Sequence, residues 1–230
     1  MLNYLTLNQS VYCMENYRQE FIKFSLAKGV LKFGEFKLKS GRISPYFFNV
    51  GLFNSGESIN QLGQFYAKAL IESQLNYDML FAPAYKGICI VTSLASALAQ
   101  DHKIDKPFAF NRKEIKDHGE QGLIVGAEIK GRVIIVDDVI TAGTAVNECA
   151  RLINQLGGAL VGVLISLDRQ ERGRTDLSAT SEVASKLNVP VIAIASLDDL
   201  VNHLESDNSE TNNHLQDIKK YRERYGIPNN

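Results

Sequence analysis

Cysteine is scarce. Cys13, Cys89 and Cys149 are odd in number and widely spaced, with no Cys-x-x-Cys pair. Nothing here points to a disulfide framework or a thiolate zinc site, and each thiol reads as a small buried hydrophobe or a bystander. An excess of one charge is missing too. Lys plus Arg number 25 against 26 Asp plus Glu, a net charge of −1, which argues against a general nucleic-acid or membrane binder. No uninterrupted apolar run is long enough to cross a bilayer. No basic flank leads into an apolar stretch near Met1, so no signal peptide is expected. The default expectation is a soluble cytoplasmic protein. Internal repeats and a composition break are also lacking, so residues 1–230 are expected to form a single domain.

What is present suits one α/β core. The chain has 230 residues and is 45% hydrophobic, enough to bury a sizeable interior. Residues 1–14 show no clear period and are given no role. Residues 15–28 read as an amphipathic helix, with Phe21, Phe24, Ser25 and Lys28 at helical spacings and Gly29 as its stop. Segments 30–38 and 43–50 read as strands joined through Ser40-Gly41. A helix over 58–73, a short buried strand at 79–82, a largely apolar helix over 87–100 that should be buried, and a strand at 108–110 follow. Residues 111–124 are charged and glycine-bearing without an apolar face, which predicts a long functional or mobile loop. Strand 132–138, helix 144–156, strand 159–167, helix 178–187 and strand 190–194 then alternate, as parallel βαβ units do. A polar stretch over 205–213 precedes a last helix at about 214–225.

One stretch carries chemistry. Val133-Ile134-Ile135-Val136 is an apolar run of the buried parallel-strand kind, and it ends abruptly in Asp137-Asp138. Val139-Ile140-Thr141-Ala142-Gly143-Thr144-Ala145 follows and leads into a helical pattern. Ligands in open α/β sheets bind just beyond such strand ends. Thr141 to Thr144 would lie at a helix N-terminus, where free N–H groups and the dipole favour a phosphate, and Gly143 lets the backbone come close to it. Carboxylates only accept hydrogen bonds, so the acids suit sugar hydroxyls rather than phosphate. Acids followed by a phosphate cradle together ask for a ribose phosphate. A strand, an ordinary turn and a capped helix would also fit, but two acids before Thr-Ala-Gly-Thr are more specific than that.

This segment closely resembles the phosphoribosyl-pyrophosphate (PRPP) motif of the type I phosphoribosyltransferases. Further motifs narrow the likeness. They are Val30 to Phe36, Lys39-Ser40-Gly41-Arg42-Ile43-Ser44-Pro45-Tyr46-Phe47-Phe48-Asn49, Ala82 to Gly87, Asn111 to Glu114 with Lys116 to Glu120, and Ser166 to Gly173. In this order, from about Phe21 to Gly226, they resemble the orotate phosphoribosyltransferase family of the bacterial and fungal kind. The resemblance implies a central, mostly parallel sheet flanked by helices, a small N-terminal hood over about 15–57, and a mobile catalytic loop over about 111–124. It implies Mg²⁺, carried mainly by PRPP rather than by a protein ligand set, and a homodimer with active sites shared across its interface.

The same resemblance distributes roles. Asp137 and Asp138 would hold the ribose hydroxyls and Val139 to Ala145 the 5′-phosphate. The loop with Tyr85 and Lys86 would hold the pyrophosphate, with a non-proline cis peptide placed at Ala84–Tyr85. Lys39 would touch PRPP, a role that rests on the likeness alone. Arg112, Lys116 and His118 would serve the neighbour's site while Lys113 stays with its own. Cations aimed at a departing pyrophosphate stabilise its growing charge, and a closing loop excludes water. Phe47 and Phe48 would face the flat pyrimidine, or else belong to the core. Arg169 would grip the orotate carboxylate bidentately, with Thr141 near the base; its plainer role is an ion pair with Asp168 or Glu171. A transferase for a purine or another base should lack the Phe47-Phe48 and Arg169 set. A nucleic-acid-binding regulator on the same fold should show a basic face or an added helix-turn-helix. Residues Gln121 to Ile124 depart from the family pattern in closing the loop with apolar residues, which bears on loop opening.

Overall fold

The structure, a computed structural model, describes residues 17–38, 40–116, 122–173, 175–206 and 214–227. A helix through 17–27 (α1) buries Phe21, Ile22 and Phe24. Strands β1 (Leu31–Lys37) and β2 (Ile43–Phe48) pair antiparallel, Leu31 opposite Phe48 and Lys37 opposite Ile43. A 3-10 turn at Val50–Leu52 leads into α2 (Gly56–Glu72). Ser55 Oγ accepts from Ser58 N at 3.2 Å and Ser58 Oγ from Ser55 N at 3.0 Å, so a capping box fixes where α2 begins. Phe21 meets Phe48 and Phe65 with ring centroids 6.1 and 5.3 Å apart, and Phe24 stacks on Phe53 at 4.9 Å. These rings fasten the small two-stranded hood to the body.

The body follows as β3 (Met79–Ala82), α3 (Lys86–His102), β4 (Phe108–Lys116), β5 (Gly122–Gly126), β6 (Gly131–Val136), α4 (Thr144–Gln155), β7 (Gly158–Asp168), α5 (Ala179–Leu187), β8 (Val191–Ser196), α6 (Leu197–Ser206) and α7 (Leu215–Tyr225). Its sheet runs in the order β5-β4-β3-β6-β7-β8, parallel throughout except for β5, which pairs antiparallel with β4 at the edge. Alternate residues feed opposite faces. Leu80, Ala82, Ile134 and Val136 join the core that holds α2, α3 and the hood, while Met79, Phe81, Val133 and Ile135 join the core under α4 and α5. Helices α2 and α3 approach closely because Gly63 lacks a side chain: a Cβ there would lie 2.5 Å from the Ser93 carbonyl oxygen. The chain leaves β3 toward one edge and β6 toward the other. Their adjacent C-terminal ends are therefore the switch point where ligands of such sheets bind.

Two expectations are corrected here. The long loop expected over 111–124 is largely a hairpin: β4 continues to Lys116 and pairs with β5, Phe110 opposite Val125 and Asn111 opposite Ile124. A two-stranded ribbon at a sheet edge satisfies its own backbone without an apolar face, so no periodicity announced it. Residues 117–121 lie outside the described residues. The helix over 87–100 buries one face, through Ile90, Val91, Leu94, Ala97 and Leu98, and leaves Cys89 exposed rather than buried. Cys149 is buried, and Cys13 lies outside the described residues. Helix α6 had no counterpart in the sequence reading. Its signal was there, with Leu197, Leu200 and Leu204 at helical spacing behind Ser196, whose N–H is accepted by Asp199 at 2.7 Å. Among the described residues no helix is long and apolar enough to cross a membrane.

Candidate active site

Past the end of β6 at Val136, neighbouring elements still hold the next two peptides in place. Asp137 N donates to the Leu164 carbonyl at 3.0 Å, and Tyr66 on α2 donates its hydroxyl to the Asp137 carbonyl at 2.8 Å. Ser166 on β7 donates both its N–H, at 2.9 Å, and its hydroxyl to the Asp138 carbonyl. Each acid also accepts from the next backbone N–H, Asp138 N to Asp137 and Val139 N to Asp138, both at 2.8 Å. The two carboxyls are not equivalent. Asp137 is buried, and burial, with the charge of Asp138 second, pushes its carboxyl up to about 7. Asp138 stays partly open and binds Lys86 Nζ at 2.9 Å.

On one side of the acids the chain turns into α4. Gly143 sits at φ +67°, and no side chain caps the helix. Thr141, Ala142, Thr144 and Ala145 are exposed, so the first-turn amides face outward with the helix dipole behind them. Val139 is half-buried, and Ile140 packs into the core under α4 and offers only its backbone. On the other side, the peptide Ala84–Tyr85 is cis, as expected. Ala84 N donates to Asn111 Oδ1 at 3.1 Å, which ties this loop to β4. Lys113 Nζ lies 4.9 Å from the centre of the Tyr85 ring. A cleft runs between this loop and β4, lined by Tyr85, Ile88, Asn111, Arg112 and Lys113 among others. Arg112 Nη1 reaches the Gly122 carbonyl across the hairpin at 3.5 Å.

The base-side residues behave differently from one another. Phe47 is exposed and stacks on Phe36 at 5.4 Å. Phe48 is buried against Phe21, so its side chain is core and only its backbone can face a ligand. Arg169 is ion-paired to Glu171, lies 4.3 Å from the centre of the Tyr46 ring and donates to Ser44 Oγ at 3.1 Å. Its plainer role as a partner of Glu171 is therefore realised. Lys39 and His118 lie outside the described residues. Lys116 ends β4, and its side chain is outside them as well. Sequence reasoning missed Tyr66, Ser166, Ser44 and Tyr46, because each acts on a residue far along the chain.

An acid pair set between an uncapped helix N-terminus and a lysine-bearing loop, at the switch point of a parallel sheet, is an arrangement suited to a sugar-phosphate ligand. The family model of the phosphoribosyl transferase domain matches residues 53–196. Relatives narrow the class. The chain is 56% identical over 214 residues to the orotate phosphoribosyltransferase of Escherichia coli O139:H28, a match spanning 93% of this chain and 100% of the relative. The protein of the same description from Yersinia enterocolitica gives the same figures. The solved orotate phosphoribosyltransferase of Francisella tularensis aligns with a TM-score of 0.81 at 43% identity, over 90% of this chain and 99% of the other. The chain belongs to the orotate phosphoribosyltransferase family of enzymes.

Proposed function

We propose that this enzyme transfers the 5-phosphoribosyl group of PRPP to orotate, giving orotidine 5′-phosphate and pyrophosphate, within cytoplasmic pyrimidine nucleotide synthesis. The observation that carries this reading is the acid pair between the uncapped N-terminus of α4 and the cis-peptide loop. Asp137 and Asp138 accept the ribose hydroxyls and offset the positive charge that grows on the sugar as its C1′ bond breaks. Within Val139 to Ala145, the backbone amides beyond the Val139 N–H, which Asp138 already accepts, hold the 5′-phosphate. Tyr85, Lys86 and Lys113, with Lys39, receive the pyrophosphate, and Lys86 leaves Asp138 for it. Orotate lies against the exposed face of Phe47 and near Thr141, with its carboxylate on Arg169. Its ring nitrogen attacks from the face opposite the leaving group, with inversion. Deprotonated orotate is a sufficient nucleophile, so no protein general base is required.

Mg²⁺ fits this donor set in a particular way. Among the described residues no group of three or more His, Cys, Asp or Glu side chains could enclose a metal. Substrate oxygens and waters would hold the ion, with the half-open Asp138 a carboxylate of the same site, and it would supply charge neutralisation on the leaving group. Arg112, Lys116 and His118 act across a homodimer interface in the neighbouring site, while the contact of Lys113 with its own Tyr85 supports its service at home.

Loss of orotate absorbance on mixing enzyme, orotate, PRPP and Mg²⁺, with uracil and hypoxanthine as parallel acceptors, tests the reading. Turnover of orotate alone, dependent on Mg²⁺ and reversed by pyrophosphate, is the expected result. Turnover of another base in preference would overturn the acceptor. PRPP binding without any turnover would point to a regulator instead.

A further inference from the structure

Arg169 is not a free side chain waiting for a ligand. Glu171 Oε1 accepts its Nε–H at 2.7 Å and lies 2.6 Å from Nη2, while Ser44 Oγ takes the other side of Nη2 at 3.1 Å. The plane of the guanidinium rests over Tyr46. Its remaining nitrogen, Nη1, takes no part in these bonds, the buried Tyr221 hydroxyl stands beside both Arg169 and Glu171, and 10% of the Arg169 side chain stays exposed. Glu171 is itself fastened. Its Oε2 accepts from Arg42 Nη1 at 3.4 Å, and Arg42 Nη2 donates to the Arg172 carbonyl at 3.0 Å. The Glu171 carbonyl accepts from Ala179 N at 3.2 Å at the start of α5, and the residue bridges to Gly226 just past α7. The hood therefore meets the Glu171 carboxylate, while α5 and the C-terminal segment fix its backbone.

We propose that Glu171 is a positioning residue for acceptor recognition. It holds the Nε–Nη2 edge of Arg169 so that Nη1 is presented to the carboxylate of the incoming base. This rests on the assignment of Arg169 to the orotate carboxylate. Two physical consequences follow. A guanidinium fixed along one edge and stacked on a ring has little rotamer freedom left to lose when the base arrives, so less of the binding free energy is spent on ordering it. Two arginines with one glutamate also leave the cluster with a single excess positive charge, matched to one carboxylate. Glu171 does not leave when orotate arrives, because Arg42 holds its other oxygen.

Glu171→Ala should raise KM for orotate by about 10-fold or more, the size of a lost charge-assisted hydrogen bond, with KM for PRPP nearly unchanged. Glu171→Gln, which keeps an oxygen for the Arg169 Nε–H and nearly the same shape, should recover most of that loss. Should Glu171→Ala fail to fold, Glu171→Asp, whose carboxylate stops one methylene short of Arg169, takes its place at a checked melting temperature, with the same selective rise in orotate KM expected and an unchanged orotate KM overturning the proposal. Equal losses toward orotate, uracil and PRPP would mean a purely structural role and overturn the proposal. A lower KM for orotate would also overturn it, because Glu171 would then be a competitor for Arg169. Arg169→Lys separates the layers. A rise in orotate KM there, with Glu171→Ala silent, sinks the positioning role alone. An Arg169→Lys enzyme with unchanged orotate KM sinks the assignment beneath it.

Discussion

Adjacent aspartates at one strand end stand in different surroundings. Asp137 is closed in by the sheet and α2, and its raised carboxyl favours the neutral form in the fold. An acid whose folded value lies above its unfolded value binds its proton more tightly when native. Its contribution to stability therefore falls as pH rises from about 4 to about 7, then levels. Ribose hydroxyls donate to the charged form, so PRPP binding near pH 6 should release a proton that Asp137→Asn does not release. Calorimetry in buffers of different ionisation heat reads this directly, and the variant corrects for protons from the phosphates of PRPP. Equal release in both proteins would contradict the role given to Asp137. The same variant should gain stability on the order of 1 kcal/mol at pH 8 while kcat/KM falls by about 10²–10³-fold, the usual trade at a site that holds a poorly solvated charge.

Among the elements, α4 is the one proposed to receive the 5′-phosphate at its first turn, and the path into that turn depends on Gly143. A Cβ at that position would lie 2.5 Å from Val183 Cγ2 on α5, at a φ of +67° that side chains rarely adopt. Gly143→Ala should therefore shift the turn, cost about 1–2 kcal/mol in thermal unfolding, and raise KM for PRPP about 10-fold while orotate KM moves less. Unaltered PRPP kinetics would show that these amides do not hold the phosphate. This turn and β6 were legible in the sequence because strand, acids and cradle are contiguous from Val133 to Ala145. The β4–β5 hairpin was not, since a ribbon that pairs with itself at the sheet edge leaves no apolar signature. Helix α6 was overlooked because its polar positions blend into the polar stretch that follows. The supports of the site were not legible either: Tyr66 lies 71 residues from Asp137, and Arg42 lies 129 from Glu171. No local pattern encodes such pairings.

At the scale of the whole molecule, the charged hairpin sets the prediction that one chain is half a catalyst. If Lys116 serves the neighbour, then Lys116→Ala and Asp138→Asn proteins, each inactive, should form mixed dimers with one complete site. An equal mixture, unfolded and refolded together, should regain about a quarter of wild-type activity by random pairing. Mixtures no more active than their parts would place Lys116 in its own chain's site. Strand β6 has a consequence of another kind. Because its apolar residues feed two cores, a one-residue slip against β3 or β7 would exchange one set of buried methyl groups for another at little hydrophobic cost. Such a slip would, however, draw Asp137 inside the sheet, where a carboxylate has no water and no cation. The acid pair thus acts as a mark of alignment, telling an otherwise featureless strand where to stop.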